Sequence, residues 1–254
     1  MMSKNMVIPV AISALSLLLL GAPAQADTVF GVYAGAGSWQ QEYSGEVTSG
    51  FSDIDVEDDL DLDDENNNMF YAAVEHGVPG LPNLRFQHVD ISVSGESVLT
   101  RPIDFNGSVY NIADPVATDL DLTQTDLVLY YEVLDNVVSL DLGVAARWVD
   151  GYVEVVSTAE SSRADFKGVL PLLYGKARVD LPLSGFWLGA EAQGLGYDGN
   201  MLFDATAQVG WESKWGIGAE AGWRMFHMEL DEYDEITGAD FDVSGPYMAL
   251  NLHF

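Results

Sequence analysis

The residues able to do chemistry in this chain are mostly carboxylates, with four histidines and few cations among them. Asp53–Glu65 (DIDVEDDLDLDDE) holds nine acids in thirteen residues. Closely spaced carboxylates are hard oxygen ligands suited to Ca²⁺ or Mg²⁺. The stretch fails as a helix-loop-helix calcium loop, however. With Asp59, Asp61 and Asp63 as the first ligands, Asp64 stands where the loop needs glycine and Phe70 where it needs a bidentate glutamate. Ile54, Val56, Leu60 and Leu62 share the parity of Phe70, Ala72 and Val74, so the stretch reads as an extension of the second strand, with acids on its other face. Asp119-Leu120-Asp121-Leu122 has the same pattern. The first reading is a solvated acidic extension, and Asp53, Asp55, Asp59, Asp61 and Asp63 are retained as weak candidate ligands for Ca²⁺ or Mg²⁺. No other cofactor is expected.

Catalysis needs a base beside a nucleophile or an activated water. Only His227 has carboxylates close by in sequence on a long connection, Asp231 and Asp234. His76 and His88 flank a short turn, and His253 sits in the last strand. No Ser–His pairing is recognisable. The expectation is that the chain is not an enzyme.

A second set of charges comes from strand alternation. Val138, Leu140, Leu142, Val144, Ala146 and Trp148 oppose Ser139, Asp141, Gly143, Ala145 and Arg147. Leu173, Ala177, Val179 and Leu181 oppose Tyr174, Lys176, Arg178 and Asp180. Phe203, Ala205, Ala207, Val209 and Trp211 oppose Asp204, Thr206, Gln208 and Gly210. Trp215, Ile217, Ala219, Ala221, Trp223 and Met225 oppose Glu220 and Arg224. One face of each strand is apolar and the other carries both charge signs. The lumen charges read from this are Glu75, Asp141, Arg147, Lys176, Arg178, Asp180, Glu191, Glu220 and Arg224. They either pair and fill a narrow barrel, which is the favoured reading, or line a channel.

Ten strands position these residues: 28–39, 68–78, 84–98, 119–133, 137–148, 168–181, 186–197, 201–211, 215–228 and 243–254. Eight is the alternative count. Asp198-Gly199 is a hairpin signal. In the third and fourth strands the apolar parity changes, from Leu84 and Phe86 to Val89, Ile91 and Val93, and from Leu120 and Leu122 to Leu127 and Leu129. That predicts a β-bulge in each. Short turns alternate with long polar connections at about 40–67, 99–118, 150–167 and 229–242.

Residues 1–26 read as a secretory signal, with Lys4, the apolar run Val7–Leu20 and Ala24-Gln-Ala26 before the cleavage point. There is no cysteine, hence no disulfide scaffold. A net charge of −30 argues against nucleic acid as a partner.

The chain closes on Met248, Leu250, Leu252 and Phe254, alternating with Tyr247, Ala249, Asn251 and His253. This resembles the closing strand of bacterial outer-membrane β-barrels. With the signal and the strand layout, the chain is similar to the small Gram-negative outer-membrane proteins grouped around the OmpA, OmpW and OmpX membrane domains, and to uncharacterised outer-membrane β-barrel families. The fold expected is an all-β, ten-stranded antiparallel transmembrane barrel over residues 27–254, located in the cell outer membrane. Trp215 to Trp223 and Phe203 to Trp211 are each eight residues apart, roughly 19 Å of height on a strand tilted near 45°. Trp148, Trp187, Phe203, Trp211, Trp215, Trp223 and Phe254 are the expected lipid-interface aromatics. The resemblance implies lipid and lipopolysaccharide as partners, and recognition of Met248, Leu250, Leu252 and Phe254 by the barrel-assembly machinery. A monomer is expected. Ten strands is also the count in the omptin proteases, but no stretch resembles their catalytic motifs. A structural or surface-interaction role is favoured, with a narrow or gated channel as the alternative.

Overall fold

The structure is a computed structural model and describes residues 30–231 and 236–254. The expected signal, residues 1–26, and Asp234 lie outside the described residues. Among the described residues fifteen strands form: β1 (Gly31–Ser49), β2 (Ser52–Asp55), β3 (Glu65–Glu75), β4 (Asn83–Val89), β5 (Ser92–Val98), β6 (Ile103–Phe105), β7 (Ser108–Tyr110), β8 (Pro115–Asp121), β9 (Gln124–Asp135), β10 (Val138–Ser157), β11 (Ser161–Asp180), β12 (Phe186–Tyr197), β13 (Asn200–Glu212), β14 (Ile217–Leu230) and β15 (Ile236–His253). Strands β4 and β5 follow one another as a single stave, and so do β8 and β9. Ten staves therefore make the wall, each pairing antiparallel with its neighbours. The first stave pairs the last, Tyr33 opposite His253, and β10 pairing β11 closes the ring. In the lower half closure is complete; above it β5 pairs only β8, and its other side lies against the acidic stretch, where Ser97 Oγ donates to the Asp59 carbonyl (2.6 Å).

The connections alternate between the two ends, as the sequence implies. Between β12 and β13 the turn is Asp198-Gly199, both at positive φ (51° and 81°), the hairpin that Asp-Gly favours. The stretches expected as loops at 150–167 and 229–242 are corrected. Among the described residues strand occupies most of both: β10 and β11 are each 20 residues long and meet around a three-residue connection, 158–160, while β14 runs to Leu230 and β15 starts at Ile236. Likewise β1 runs to Ser49, so the region expected as loop from residue 40 begins as wall. The barrel is tall, and its upper half is strand where loops were predicted.

That height accounts for the apparent parity change. In β4 and β5 the odd residues face inward throughout. Asn83, Arg85, Gln87, Val89, Ile91 and Val93 are all buried, and Leu84 and Phe86 are exposed. In β8 and β9 the even residues face inward, from Val116 through Leu120, Leu122, Gln124, Asp126 and Val128 to Tyr130. No register shift separates β4 from β5 or β8 from β9, since Val89 pairs Gln124 and Ser92 pairs Asp121. The two predicted bulges are therefore absent, and hydropathy inverts along an unbroken strand. The lower half is apolar outside and polar inside; the upper half is polar outside and apolar inside. At Asp90 and Ile91 backbone bonds persist, the Leu122 amide donating to the Ile91 carbonyl (2.7 Å) and the Asp90 amide to the Asn68 carbonyl (3.0 Å), and side chains add to them. Gln41 Nε2 donates to the Asp90 carbonyl (2.8 Å), and Asn67 Nδ2 donates to the Ser92 carbonyl (2.7 Å).

Around the lower half runs an apolar belt of exposed side chains, among them Phe70, Leu129, Leu142, Leu173, Leu188, Val209 and Leu250. Trp148, Phe203 and Trp223 stand toward its upper margin, and Trp211, Trp215 and Phe254 toward its lower one, all exposed. Trp187 is a correction. It is only 3% exposed and points into the lumen, its ring under the Arg178 guanidinium at 4.5 Å. Parity decides this, because Trp187 lies in phase with Glu191 and Gln193 while Phe186 and Leu188 face outward.

Pro246 sits in mid-strand, opposite Trp223 of β14, and not at a rim. The β1–β15 ladder is broken beside it, between the pairs Trp39–Tyr247 and Glu42–Ser244. Gly245 takes φ of +154°, and a Cβ there would lie 2.0 Å from the Gln40 carbonyl. The Trp39 indole donates to the Gly245 carbonyl (3.2 Å) and repairs part of the gap.

Candidate functional site

The inside of the barrel has three storeys. At the top, strand alternation places Val93, Val116, Leu120, Val155 and Val243 on the inner wall, leaving an apolar mouth that needs filling. The acidic stretch fills it. Ser52–Asp55 pairs β1 as a short hairpin, with Glu46 opposite Asp55, and does not extend β3 as expected. Ile54, Val56, Leu60 and Leu62 then all turn inward and are buried, while Phe70 and Ala72 of β3 face out. The β6–β7 hairpin adds Ile103, Phe105 and Tyr110. Polar ties hold this cap together and to the wall. Asn106 Nδ2 donates to the Arg163 carbonyl (2.8 Å), the Asp104 amide to Ser52 Oγ (2.8 Å), and Tyr110 to the Val155 carbonyl (2.7 Å). Burial pushes the Tyr110 hydroxyl up to about 12.

The carboxylates proposed as metal ligands are used differently. Asp55 Oδ1 accepts from the amides of Glu57 and Asp58, and Asp59 Oδ2 accepts from the Asp55 amide (3.0 Å). These are turn-capping bonds. Arg101 donates to both oxygens of Asp59 and to the Asp53 carbonyl, and the Asp59 bond raises its pKa. Asp61 and Asp63 are exposed. Among the described residues the one group with metal-ligand spacing is His227, Asp240 and Asp242, on the outer wall above the belt. The candidate base His227 thus meets Asp242 (Nδ1 to Oδ1, 3.0 Å) and not its sequence neighbour Asp231. Replacing Arg101 with Ala is expected to loosen the cap by about 1 kcal/mol, since Arg101 is itself 45% exposed. Faster proteolysis within residues 50–64, with the barrel intact, would report it.

The middle storey is a chain of ion pairs. Arg147 donates two bonds to Asp126 (Nε to Oδ1 and Nη2 to Oδ2, both 2.7 Å) and a third to Asp204 (2.8 Å). Arg224 donates two to Asp204 (2.9 and 2.6 Å). All four residues are buried, Arg147 completely, and the Arg224 guanidinium lies 5.0 Å over the Trp39 ring. Asp126 stands on β9 and Arg224 on β14, which are opposite staves of the ring. The chain therefore crosses the lumen from wall to wall. Paired forks of this kind are the arrangement in which buried charges persist, since each charge meets an opposite one with its hydrogen bonds made.

Below lies a second crossing, where Arg85 of β4 reaches Glu191 of β12 at 3.5 Å and stacks on Tyr71. Beneath it a cavity of ≈ 270 Å³ opens at the turn end. Glu75, Asp141, Lys176, Arg178, Asp180, Glu191 and Glu220 line it, so seven of the nine predicted lumen charges are gathered there, and Arg147 and Arg224 belong to the storey above. Arg178 pairs Asp180 (2.7 Å), and Tyr130 donates to Glu75 (2.7 Å).

Arg85, Asp126 and Asp204 are central to the lumen and were absent from the predicted set. Asp204 already lay on the polar face of its strand. Arg85 and Asp126 each sit opposite in parity to the exposed pairs Leu84/Phe86 and Leu127/Leu129. Assuming a bulge made that parity unusable.

No family model matches the chain, and no curated protein matches it. Solved structures do. The outer membrane protease OmpT from Escherichia coli is similar over 93% of this chain and 99% of its own, at TM-score 0.50 and 10% identity. The transport unit of the autotransporter AIDA-I from Escherichia coli matches over 94% and 93%, at 0.43 and 10%. The Pseudomonas putida toluene transporter TodX matches over 88% and 89%, at 0.36 and 8%. The OmpT likeness shows the fold, a closed barrel of the outer-membrane class, and no narrower group.

Proposed function

We propose that the chain is an integral outer-membrane protein whose barrel is sealed against passage and which acts structurally or through its outer surface. The single observation carrying this is the Asp126–Arg147–Asp204–Arg224 chain, which ties opposite walls together across the lumen. The apolar cap above adds an independent closure. The belt and its aromatic margins give the height over which lipid would contact the wall, with the turn end periplasmic and the capped end outside. Met248, Leu250, Leu252 and Phe254 are exposed on one outer face, where assembly machinery could read them. Catalysis has little support, because His227 and Asp242 face outward and no nucleophile accompanies them among the described residues.

Arg147→Ala and Arg224→Ala test the sealed reading. Each is expected to lower the stability of the refolded barrel without raising the permeability of vesicles that contain it. Raised permeability at unchanged stability would instead make these residues a gate.

A further inference from the structure

The cavity at the turn end has a charge imbalance that the ion pairs above it lack. Asp141 is 7% exposed and lines this cavity. Among the described residues it accepts no hydrogen bond and has no cation within 4.0 Å. Its cross-strand neighbours are Glu132 on β9 and Lys176 on β11, and the Lys176 ammonium stays beyond ion-pair distance. Glu75, which accepts from the Tyr130 hydroxyl (2.7 Å), lines the cavity beside them. One wall of the cavity therefore presents three carboxylates with no cation of the protein paired to them, and the Tyr130 hydroxyl stands among them. A buried anion left without a partner is unfavourable, and a cation entering from solvent would relieve it.

The spacing selects the kind of cation. Asp141, Glu132 and Glu75 do not converge to metal-ligand distances, in contrast with the outer-wall group of His227, Asp240 and Asp242. Separated carboxylates in a cavity of ≈ 270 Å³ suit a ligand that brings several N–H donors on a short carbon frame. The aromatic side chains of Tyr33 and Tyr130 also line the cavity and add apolar surface for its methylene groups. We propose that this cavity is a binding site for a small organic polycation such as an aliphatic diamine, with Asp141 and Glu132 as its anchors. The proposal is independent of the sealed-lumen reading, because the cavity lies wholly below the ion-pair chain.

Isothermal titration of the refolded protein in neutral detergent at moderate salt tests it, using 1,4-diaminobutane as the probe and 1,4-butanediol and Mg²⁺ as comparisons. The expected result is saturable binding of one diamine, no binding of the diol, and weaker binding of Mg²⁺. Asp141→Asn should reduce diamine affinity at least tenfold, and Asp240→Asn on the outer wall should leave it unchanged. Because Asp141 makes no hydrogen bond or ion pair within 4.0 Å among the described residues, its variant should fold. If it does not fold, Glu132→Gln carries the same tenfold expectation. Absent or unsaturable diamine binding, tighter binding of Mg²⁺, or an equal loss in Asp240→Asn would overturn the proposal.

Discussion

Replacing Asp204 with Ala is expected to destabilise the barrel by about 3–5 kcal/mol, as removal of one member of a buried ion network does. Asp204 accepts from both arginines, three bonds in all. Without it, Arg224 keeps only its place over Trp39, and Arg147 keeps Asp126 but loses its link to the far wall. The Arg224 guanidinium would then stand buried without a carboxylate partner. Equilibrium unfolding in urea from lipid vesicles measures the loss, and a double-mutant cycle with Arg224→Ala separates the pair from the stranded charge. The second replacement should recover part of the stability, because it removes the cation the first left alone. A loss below about 1 kcal/mol would place these charges in contact with water.

The second large effect is local. Ile54 is fully buried in the cap, and a carboxylate placed there by Ile54→Asp meets the apolar core. An uncompensated buried charge costs on the order of 3–5 kcal/mol. The cap hairpins are attached to the wall at their bases, so they should swing out while the ten staves stay paired. The expected result is rapid cleavage within residues 50–64 and a retained heat-sensitive gel shift. Glu57→Ala, on the exposed side of the same turn, should change neither. Loss of the gel shift in Ile54→Asp would mean that cap and wall fold as one unit.

Barrel class, strand number and most inward positions were legible in the sequence because period-two alternation survives wherever lipid lies outside and charge inside. The same rule misled above the belt. At Leu120 and Leu122 the solvent lies outside and the apolar core within, so hydropathy changes side while geometry does not. A bulge and an inversion look alike in sequence, and a ladder without a register shift separates them. The acidic stretch was read by its charges, yet its buried residues are Ile54, Val56, Leu60 and Leu62, whose alternation was visible and whose destination was not. That destination depends on which apolar mouth is left open, a property of the assembled wall. The Asp126–Arg147–Asp204–Arg224 chain was out of reach for a similar reason, since its members touch only after the sheet has curled round to face itself.

The central claim, a sealed lumen, is tested most directly by ion conductance of the refolded protein in a planar bilayer, with refolding verified by the heat-sensitive gel shift. A silent bilayer, with and without calcium, is the predicted result. Discrete and reproducible conductance steps would contradict it, and would make the lumen charges the selectivity residues of a channel.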